Sequence, residues 1–167
     1  PLDTSCRYVL LVMALTGCLA GEVMAQSAPD MESDEATQLL DEGQRLFEKA
    51  RYDSSSAKVR RAASVFKSTT QWENLVQSYN LLASNHRVLS RLDSAIVYSE
   101  KALHVLEEYN LKLPQQRVKA LNNLGLIAIE QSDFGQARTY YDEALELAEN
   151  NSVPLQTEAL ILGKPVV

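Results

Sequence analysis

Apolar residues recur every three or four positions through most of the chain after residue 34, as at Leu39 and Leu46 or at Leu103 and Leu106. This spacing places apolar side chains on one face of an α-helix, which can then pack against another helix. Glycine and proline, with 6 and 5 copies, are too sparse to break these segments often. The pattern therefore predicts an all-α chain and disfavours a β-sandwich or a barrel.

The first 25 residues follow a different pattern. Arg7 precedes a charge-free stretch over residues 8–21, whose centre at residues 9–15 is strongly apolar. The stretch is shorter than the roughly 20 residues that span a bilayer, but it fits the core of a secretory signal peptide. Ala25 ends a triplet resembling a signal peptidase site, and a polar linker follows over residues 26–33. We predict a signal peptide at 1–25 and export to the bacterial periplasm or membrane, with a buried N-terminal helix as the alternative.

A lipid anchor is a further interpretation of the same segment. Leu15-Thr16-Gly17-Cys18 resembles a bacterial lipobox, in which Cys18 would be acylated, so membrane anchoring through the signal or a lipid is the alternative to plain secretion. Cys6 and Cys18 are the only cysteines. The processed chain would therefore lack an internal disulfide, a thiolate nucleophile and a cysteine zinc site.

Small residues return to the same positions along the chain. Gly43 and Ala83 are 40 residues apart, and Ala83 and Gly125 are 42 apart. After each, further small or bulky residues follow at equal offsets. These three sets are Tyr52, Ser55, Val59 and Ala62; Leu92, Ala95, Ser99 and Ala102; and Phe134, Ala137, Tyr141 and Ala144. A generic helical bundle explains helical spacing, but not a period, so we predict an internal repeat.

The third unit resembles the tetratricopeptide repeat, through the Leu124–Gly125 pair followed by Phe134, Ala137, Tyr141 and Ala144. The resemblance implies an α-α superhelix of antiparallel helix hairpins, right-handed in sense. The spacing exceeds the usual 34 residues and is similar to a long variety found in exported bacterial sensor and regulatory proteins. The implied array covers residues 34–163, with repeats at 34–69, 71–111 and 115–151, a partial fourth at 155–163 and a cut end at 164–167. The alternative is that residues 155–163 form a terminal cap.

The pattern also makes local predictions. Gly125, Ala137 and Ala144 should let the two helices of a hairpin approach closely, while Phe134 and Tyr141 fill the space between hairpins. Asp133 and the cluster Ser54-Ser55-Ser56 are expected to cap second helices. Pro114 and Pro154 suit the first turn of the helices that follow them. The residues beyond the usual unit are expected to lengthen the second helices and the links after them.

Charge and motif content argue against several functions. The net charge of −6 and the pI near 5.0 disfavour a nucleic-acid binder, which would be basic. His86 and His104 fall on different helices without cysteines or carboxylates at metal-ligand spacing, and no glycine-rich phosphate loop or nucleophile elbow occurs. We therefore predict no enzyme activity, no cofactor and no metal site.

The charges are unevenly distributed along the chain. Cations concentrate at Lys49, Arg51, Lys58, Arg60, Arg61 and Lys67, and anions at Glu130, Asp133, Asp142, Glu143, Glu146 and Glu149. Ordinary solvated helix faces are the simpler interpretation. A basic outer patch that docks an acidic partner or a membrane surface is the alternative.

The resemblance implies that first helices line a concave groove that binds a peptide or a helix of another protein. The candidate groove residues are Gln77, Asn80, Ser84, Arg87, Lys119, Asn122, Leu126 and Glu130, together with Thr37, Leu40, Gln44 and Phe47 from the first unit. Asn80 and Asn122 share one column, and a carboxamide can both donate to and accept from a peptide backbone. The predicted function is a protein–protein interaction scaffold. The alternatives are the sensory region of a longer membrane-bound histidine kinase or transcriptional regulator, and an enzyme's accessory domain.

Overall fold

A computed structural model describes residues 32–153, which form six consecutive helices and contain no strand. The described part of α1 covers residues 32–48. The later helices are α2 (Tyr52–Ser68), α3 (Trp72–Val88), α4 (Leu92–Glu108), α5 (Pro114–Glu130) and α6 (Phe134–Asn151). Residues 32 and 33, assigned to the linker by the sequence prediction, are helical. The predictions for the signal segment, Cys18, Pro154 and the partial fourth unit lie outside the described residues.

The helices pair in order as three antiparallel hairpins, α1 with α2, α3 with α4 and α5 with α6. Helix α3 contacts α2 and α4 along the chain and also touches α5, so neighbouring hairpins are joined mainly through their first helices. The all-α solenoid predicted from the repeat is therefore the observed architecture. Between Glu32 and Val153, no helix has the length and apolar character that a membrane span requires.

Helix length explains the long repeat period. Helices α2 to α5 have 17 residues each and α6 has 18, so first and second helices share the extra length. The prediction that only the second helices are longer was wrong. The link over residues 109–113 has two residues more than the three-residue turns, which accounts for the change in period from 40 to 42.

Each helix ends in a left-handed residue that is not glycine. Beyond the last helical turn, the amide of Gln71 donates to the carbonyl oxygen of Phe66 at 2.8 Å, and that of Arg91 donates to His86 at 2.9 Å. This six-to-one hydrogen bond is the Schellman motif, which normally uses glycine at the left-handed position. The left-handed residues are Ala50, Thr70, Ser90, Asn110, Ser132 and Ser152, with φ between 48° and 63°.

Replacing Thr70 with glycine should stabilise the fold by about 1 kcal/mol. Thr70 is β-branched and holds φ at 58°, a conformation that glycine adopts without a steric penalty. Urea unfolding of the full chain would measure the gain. Thr69, whose φ of −95° lies in ordinary space, provides the matched control, since glycine there should only destabilise. Equal effects at the two positions would contradict the prediction.

Small residues lie where the two helices of a hairpin meet. A side-chain carbon placed on Gly125 would come within 2.8 Å of the Tyr141 ring, and one on Gly43 would overlap Val59. Ala83 and Ala95 are fully buried at the matching positions of the middle hairpin. The repeated columns are therefore the positions of closest approach within each hairpin.

Two bulky residues of the third unit differ from their predicted roles. Tyr141 lies over Gly125 of its own hairpin and packs with Ala128 and Ala137, so it does not fill the space between hairpins. Phe134 is 68% exposed. It begins the last helix described, and no further hairpin follows it among residues 32–153 to cover its ring.

The predicted serine cap of α2 is instead a buried polar connection. Helix α2 begins at Tyr52 with no side-chain cap, and Ser55 and Ser56 are buried one turn later. The Ser55 hydroxyl donates to the carbonyl oxygen of Gly43 at 2.8 Å and accepts from Nδ2 of Asn85 at 2.9 Å. These bonds join α1, α2 and α3. Asp133 does cap α6, where its carboxylate accepts from the amide of Gln136 at 3.0 Å.

Candidate functional site

The first helices of the three hairpins, α1, α3 and α5, surround one cleft of about 440 Å³, called the inner cleft below. Most of its polar lining consists of carboxamides. The lining residues are Leu40, Asp41, Gln44, Phe47, Gln77, Asn80, Leu81, Ser84, Arg87, Gln116, Lys119, Asn122, Asn123 and Leu126. Because all three helices contribute, the cleft forms only when the hairpins are stacked.

The repeat geometry explains which positions line the cleft. Gly43, Ala83 and Gly125 face the second helix of their own hairpins, and the residue after each one is rotated about 100° around the helix. Those next residues are Gln44, Ser84 and Leu126, and all three line the inner cleft.

The candidate groove residues fall into two groups. Ten of them lie around the inner cleft: Leu40, Gln44, Phe47, Gln77, Asn80, Ser84, Arg87, Lys119, Asn122 and Leu126. Thr37 and Glu130 do not line it. The Thr37 hydroxyl donates to the carbonyl oxygen of Ser33 at 3.1 Å, while Glu130 forms a 3.0 Å salt bridge with Arg87.

Asn80 has a structural role that the sequence did not indicate. The residue is 4% exposed, and its Nδ2 group donates to the backbone and side-chain oxygens of Gln116 at 3.0 and 3.1 Å. This amide group therefore holds α3 against α5 and is not free for a ligand. Gln116 was not among the sequence candidates, because the contact joins residues 36 positions apart and neither residue alone indicates it.

Asn123 completes this polar connection between hairpins. Its Nδ2 group donates to the carbonyl oxygen of Asn80 at 3.3 Å, and its Oδ1 accepts from the Ser84 hydroxyl at 3.2 Å. The sequence analysis placed Asn122 in the groove and overlooked Asn123, although the two adjacent asparagines were visible. The result is a lining whose side chains are held in place before any ligand arrives.

Some polar atoms of the lining have no partner in the described part of the chain. Oδ1 of Asn80, Oδ1 of Asn122 and Nε of Arg87 are each buried without a hydrogen bond to residues 32–153. A buried acceptor left unpaired costs about 1–3 kcal/mol, so a ligand N–H group that reaches it gains that interaction. Lys119 forms no salt bridge with a described residue, whereas Arg87 is paired with Glu130.

A second cleft of about 600 Å³ lies at the link between α4 and α5, beside the end of α6. Its lining includes Leu111, Leu113 and Leu147 together with Glu107 and Arg117, which form a 3.4 Å salt bridge. The sequence analysis treated this link only as extra length. The cleft mixes apolar side chains with both signs of charge and therefore indicates no particular ligand.

The two histidines differ in environment. His86 is 6% exposed and stacks on Tyr98 with ring centroids 5.4 Å apart, while the side chain of His104 is 73% exposed. Burial lowers the pKa of His86, and the nearby Arg91 and Arg60 guanidinium groups lower it further, against an opposing effect of Asp53. Among the described residues, no three His, Cys, Asp or Glu side chains group together as metal ligands.

Comparison with known proteins identifies the repeat. The tetratricopeptide repeat model matches residues 118–151, which cover α5 and α6. The structure is similar to the crystal structure of a tetratricopeptide-like protein from Chlorobium tepidum, with a TM-score of 0.64 and 19% identity over 81% of this chain and 91% of that one. BtubC from P. vanneervenii is also similar, with a TM-score of 0.47 and 20% identity over 81% of this chain and 63% of that one. No curated protein sequence matches the chain.

Proposed function

Because the chain carries a tetratricopeptide repeat within an array of that fold, we propose that it is an interaction scaffold that holds a segment of another protein in the inner cleft. The repeat and fold support protein binding in general. The observation that carries the finer proposal is the carboxamide lining contributed by three successive inner helices. In this proposal the chain binds and does not catalyse, and the export predicted from residues 1–25 places the binding outside the cytoplasm.

The cleft chemistry suits an extended peptide main chain. A peptide offers N–H donors and carbonyl acceptors at regular intervals, and carboxamides can pair with both. The unpaired Oδ1 atoms of Asn80 and Asn122 would accept from two ligand N–H groups. Gln77 and Gln44, which make no hydrogen bond to another hairpin, supply further donors and acceptors.

Side-chain recognition would come from the two ends of the cleft. Leu40 and Phe47 contribute apolar surface from α1, and Leu126 contributes it from α5. Arg87 is already paired with Glu130, which leaves Lys119 as the lining cation without a described salt bridge. These features favour an uncharged segment with apolar side chains over a chain end recognised through its carboxylate.

The proposal is tested by selecting peptides from a random displayed library on the immobilised full chain, then measuring the best binders by isothermal titration calorimetry. The triple variant Gln77→Ala/Asn122→Ala/Leu126→Ala should weaken the selected peptides at least tenfold, about 1.4 kcal/mol. It removes two polar contacts and one apolar contact while leaving the Asn80–Gln116 and Ser84–Asn123 hydrogen bonds between hairpins in place.

A matched triple variant on the opposite side provides the control. Ser64→Ala, Glu100→Ala and Thr139→Ala each change an exposed residue of a second helix and should leave affinity unchanged. Circular dichroism would verify that both variants keep the helical fold. Selection of no peptide above background would contradict peptide binding, and equal affinity for the two triple variants would move the binding site out of the inner cleft.

A further inference from the structure

The exposed faces of α2 and α6 carry opposite charges at equivalent repeat positions. On α2, the exposed residues at positions 60, 61 and 67 are Arg60, Arg61 and Lys67. The positions 82 residues later on α6 are Asp142, Glu143 and Glu149, which are also exposed. A fourth equivalent pair is Ser64 and Glu146. We call Arg60, Arg61 and Lys67 the basic ridge, and Asp142, Glu143, Glu146 and Glu149 the acidic ridge.

The two ridges lie at opposite ends of the array. Helix α4 separates them, and its equivalent positions carry both signs of charge, with Glu100 and Glu107 beside Lys101. The second helices pack mainly against first helices, so the outer faces of α2, α4 and α6 stand apart from one another. The sign of the outer charge therefore reverses along the length of one molecule.

Most of these charges are not neutralised within the described chain. Arg60, Lys67, Glu143, Glu146 and Glu149 form no salt bridge to residues 32–153, whereas Lys58, beside the basic ridge, pairs with Glu42 at 2.9 Å. Arg61 and Asp142 have only long contacts, to Glu35 at 3.6 Å and to Arg138 at 3.5 Å, and these side chains are mostly exposed. Both ridges remain able to pair with an external surface.

We propose that the basic ridge of one copy docks against the acidic ridge of a second copy. The occupant is a second copy because each molecule carries both complementary faces, with the same one-, six- and seven-residue spacings between Arg60, Arg61 and Lys67 as between Asp142, Glu143 and Glu149. The contact is heterologous, so it adds copies end to end or closes a ring. It leaves the inner cleft free, and it does not depend on what that cleft binds.

The interaction is weak and sensitive to salt. Exposed ion pairs contribute about 0–1 kcal/mol each, and salt screens them beyond a Debye length of about 8 Å at physiological ionic strength. Sedimentation velocity of the full chain should show concentration-dependent association at about 0.02 M salt that weakens at least tenfold at about 0.5 M. Association through apolar surface would not weaken with salt, and a sedimentation profile independent of concentration at low salt would overturn the proposal.

Charge reversal tests which faces meet. Arg60→Glu/Lys67→Glu removes the basic ridge, and Glu146→Lys/Glu149→Lys removes the acidic ridge, so each variant alone should lose association at least tenfold. An equimolar mixture should recover it, because each variant then presents a face complementary to the other. The control Glu100→Lys/Glu108→Lys changes net charge on α4 by the same amount as the acidic-ridge variant and should associate as the parent does.

Each other outcome decides against the proposal. If either ridge variant associates as strongly as the parent, the ridges do not form the contact. If both variants lose association and the mixture does not recover it, the two ridges do not dock on each other, and an acidic partner other than this chain becomes the occupant of the basic ridge. If the α4 control loses as much as the acidic-ridge variant, overall charge and not the ridge governs association.

Discussion

Replacing Gly43 with alanine should lower the free energy of unfolding by about 1–3 kcal/mol, the usual cost of overpacking a filled core. The new methyl group would overlap Val59, a fully buried residue of α2, and the backbone carbonyl of Ser55 lies 3.6 Å from the same point. The two helices of the first hairpin would have to separate. That movement would also strain the hydrogen bond from the Ser55 hydroxyl to the Gly43 carbonyl. Chemical denaturation of the full chain measures the loss.

Two further variants separate this steric cost from the effect of removing a glycine. Gly135→Ala lies near the exposed start of α6, where the nearest atom to a new methyl is Asp133 Oδ1 at 3.6 Å, so it should be neutral or slightly stabilising. Gly43→Ala combined with Val59→Ala should be less destabilising than the sum of the two single changes, because the new methyl group takes up space vacated by valine. A strictly additive double variant would contradict the steric explanation.

The same columns show why the fold could be predicted from sequence. Gly43, Ala83 and Gly125 are small because a second helix lies against each, and that requirement recurs once per hairpin. A recurring local requirement leaves a periodic trace in the sequence. Asp133 was equally accessible to prediction, since its capping bond reaches only three residues along the chain.

Features set by distant contacts left no such trace. Ser55 was interpreted as a cap because serine commonly has that role, yet it is buried and bonded to Asn85, 30 residues away. Thr70 holds a left-handed φ of 58° at a position where glycine would be expected, so its turn carried no glycine signal. Phe134 matched the aromatic column, but its exposure depends on what lies next to the hairpin and not on the hairpin itself.

The inner cleft was predictable in position and less so in chemistry. The residue after each small column residue faces the cleft by helical geometry, which places Gln44, Ser84 and Leu126 there. Whether a lining side chain is free or already bonded depends on the neighbouring hairpin. Asn80 and Asn122 share a column, yet only Asn80 has a donor bond to Gln116. The carboxamides that hold the hairpins together could therefore not be separated from those open to a ligand.

His86 should make the fold sensitive to acid. Its ring is buried against Tyr98, both ring nitrogens lack hydrogen-bond partners among the described residues, and burial with Arg91 and Arg60 nearby lowers its pKa despite the carboxylate of Asp53. The unfolded chain binds a proton at this histidine near the ordinary value of about 6.5, while the folded chain does so only at lower pH. The unfolded state therefore binds more protons between the two values, and stability falls as pH drops through that window.

The variant His86→Phe isolates this contribution, because it keeps an aromatic ring on Tyr98 and cannot be protonated. The stability of the variant relative to the parent should increase as pH falls below about 6.5, by at most about 1.4 kcal/mol per pH unit, since one proton is involved. Urea unfolding from pH 7.5 to 5 measures both proteins, and other titrating groups cancel in the difference. His104→Phe, at a side chain 73% exposed, is the matched control for replacing a histidine. A difference curve for His86→Phe that is flat with pH, or that matches the curve for His104→Phe, would show that protonation of the buried ring does not limit stability in acid.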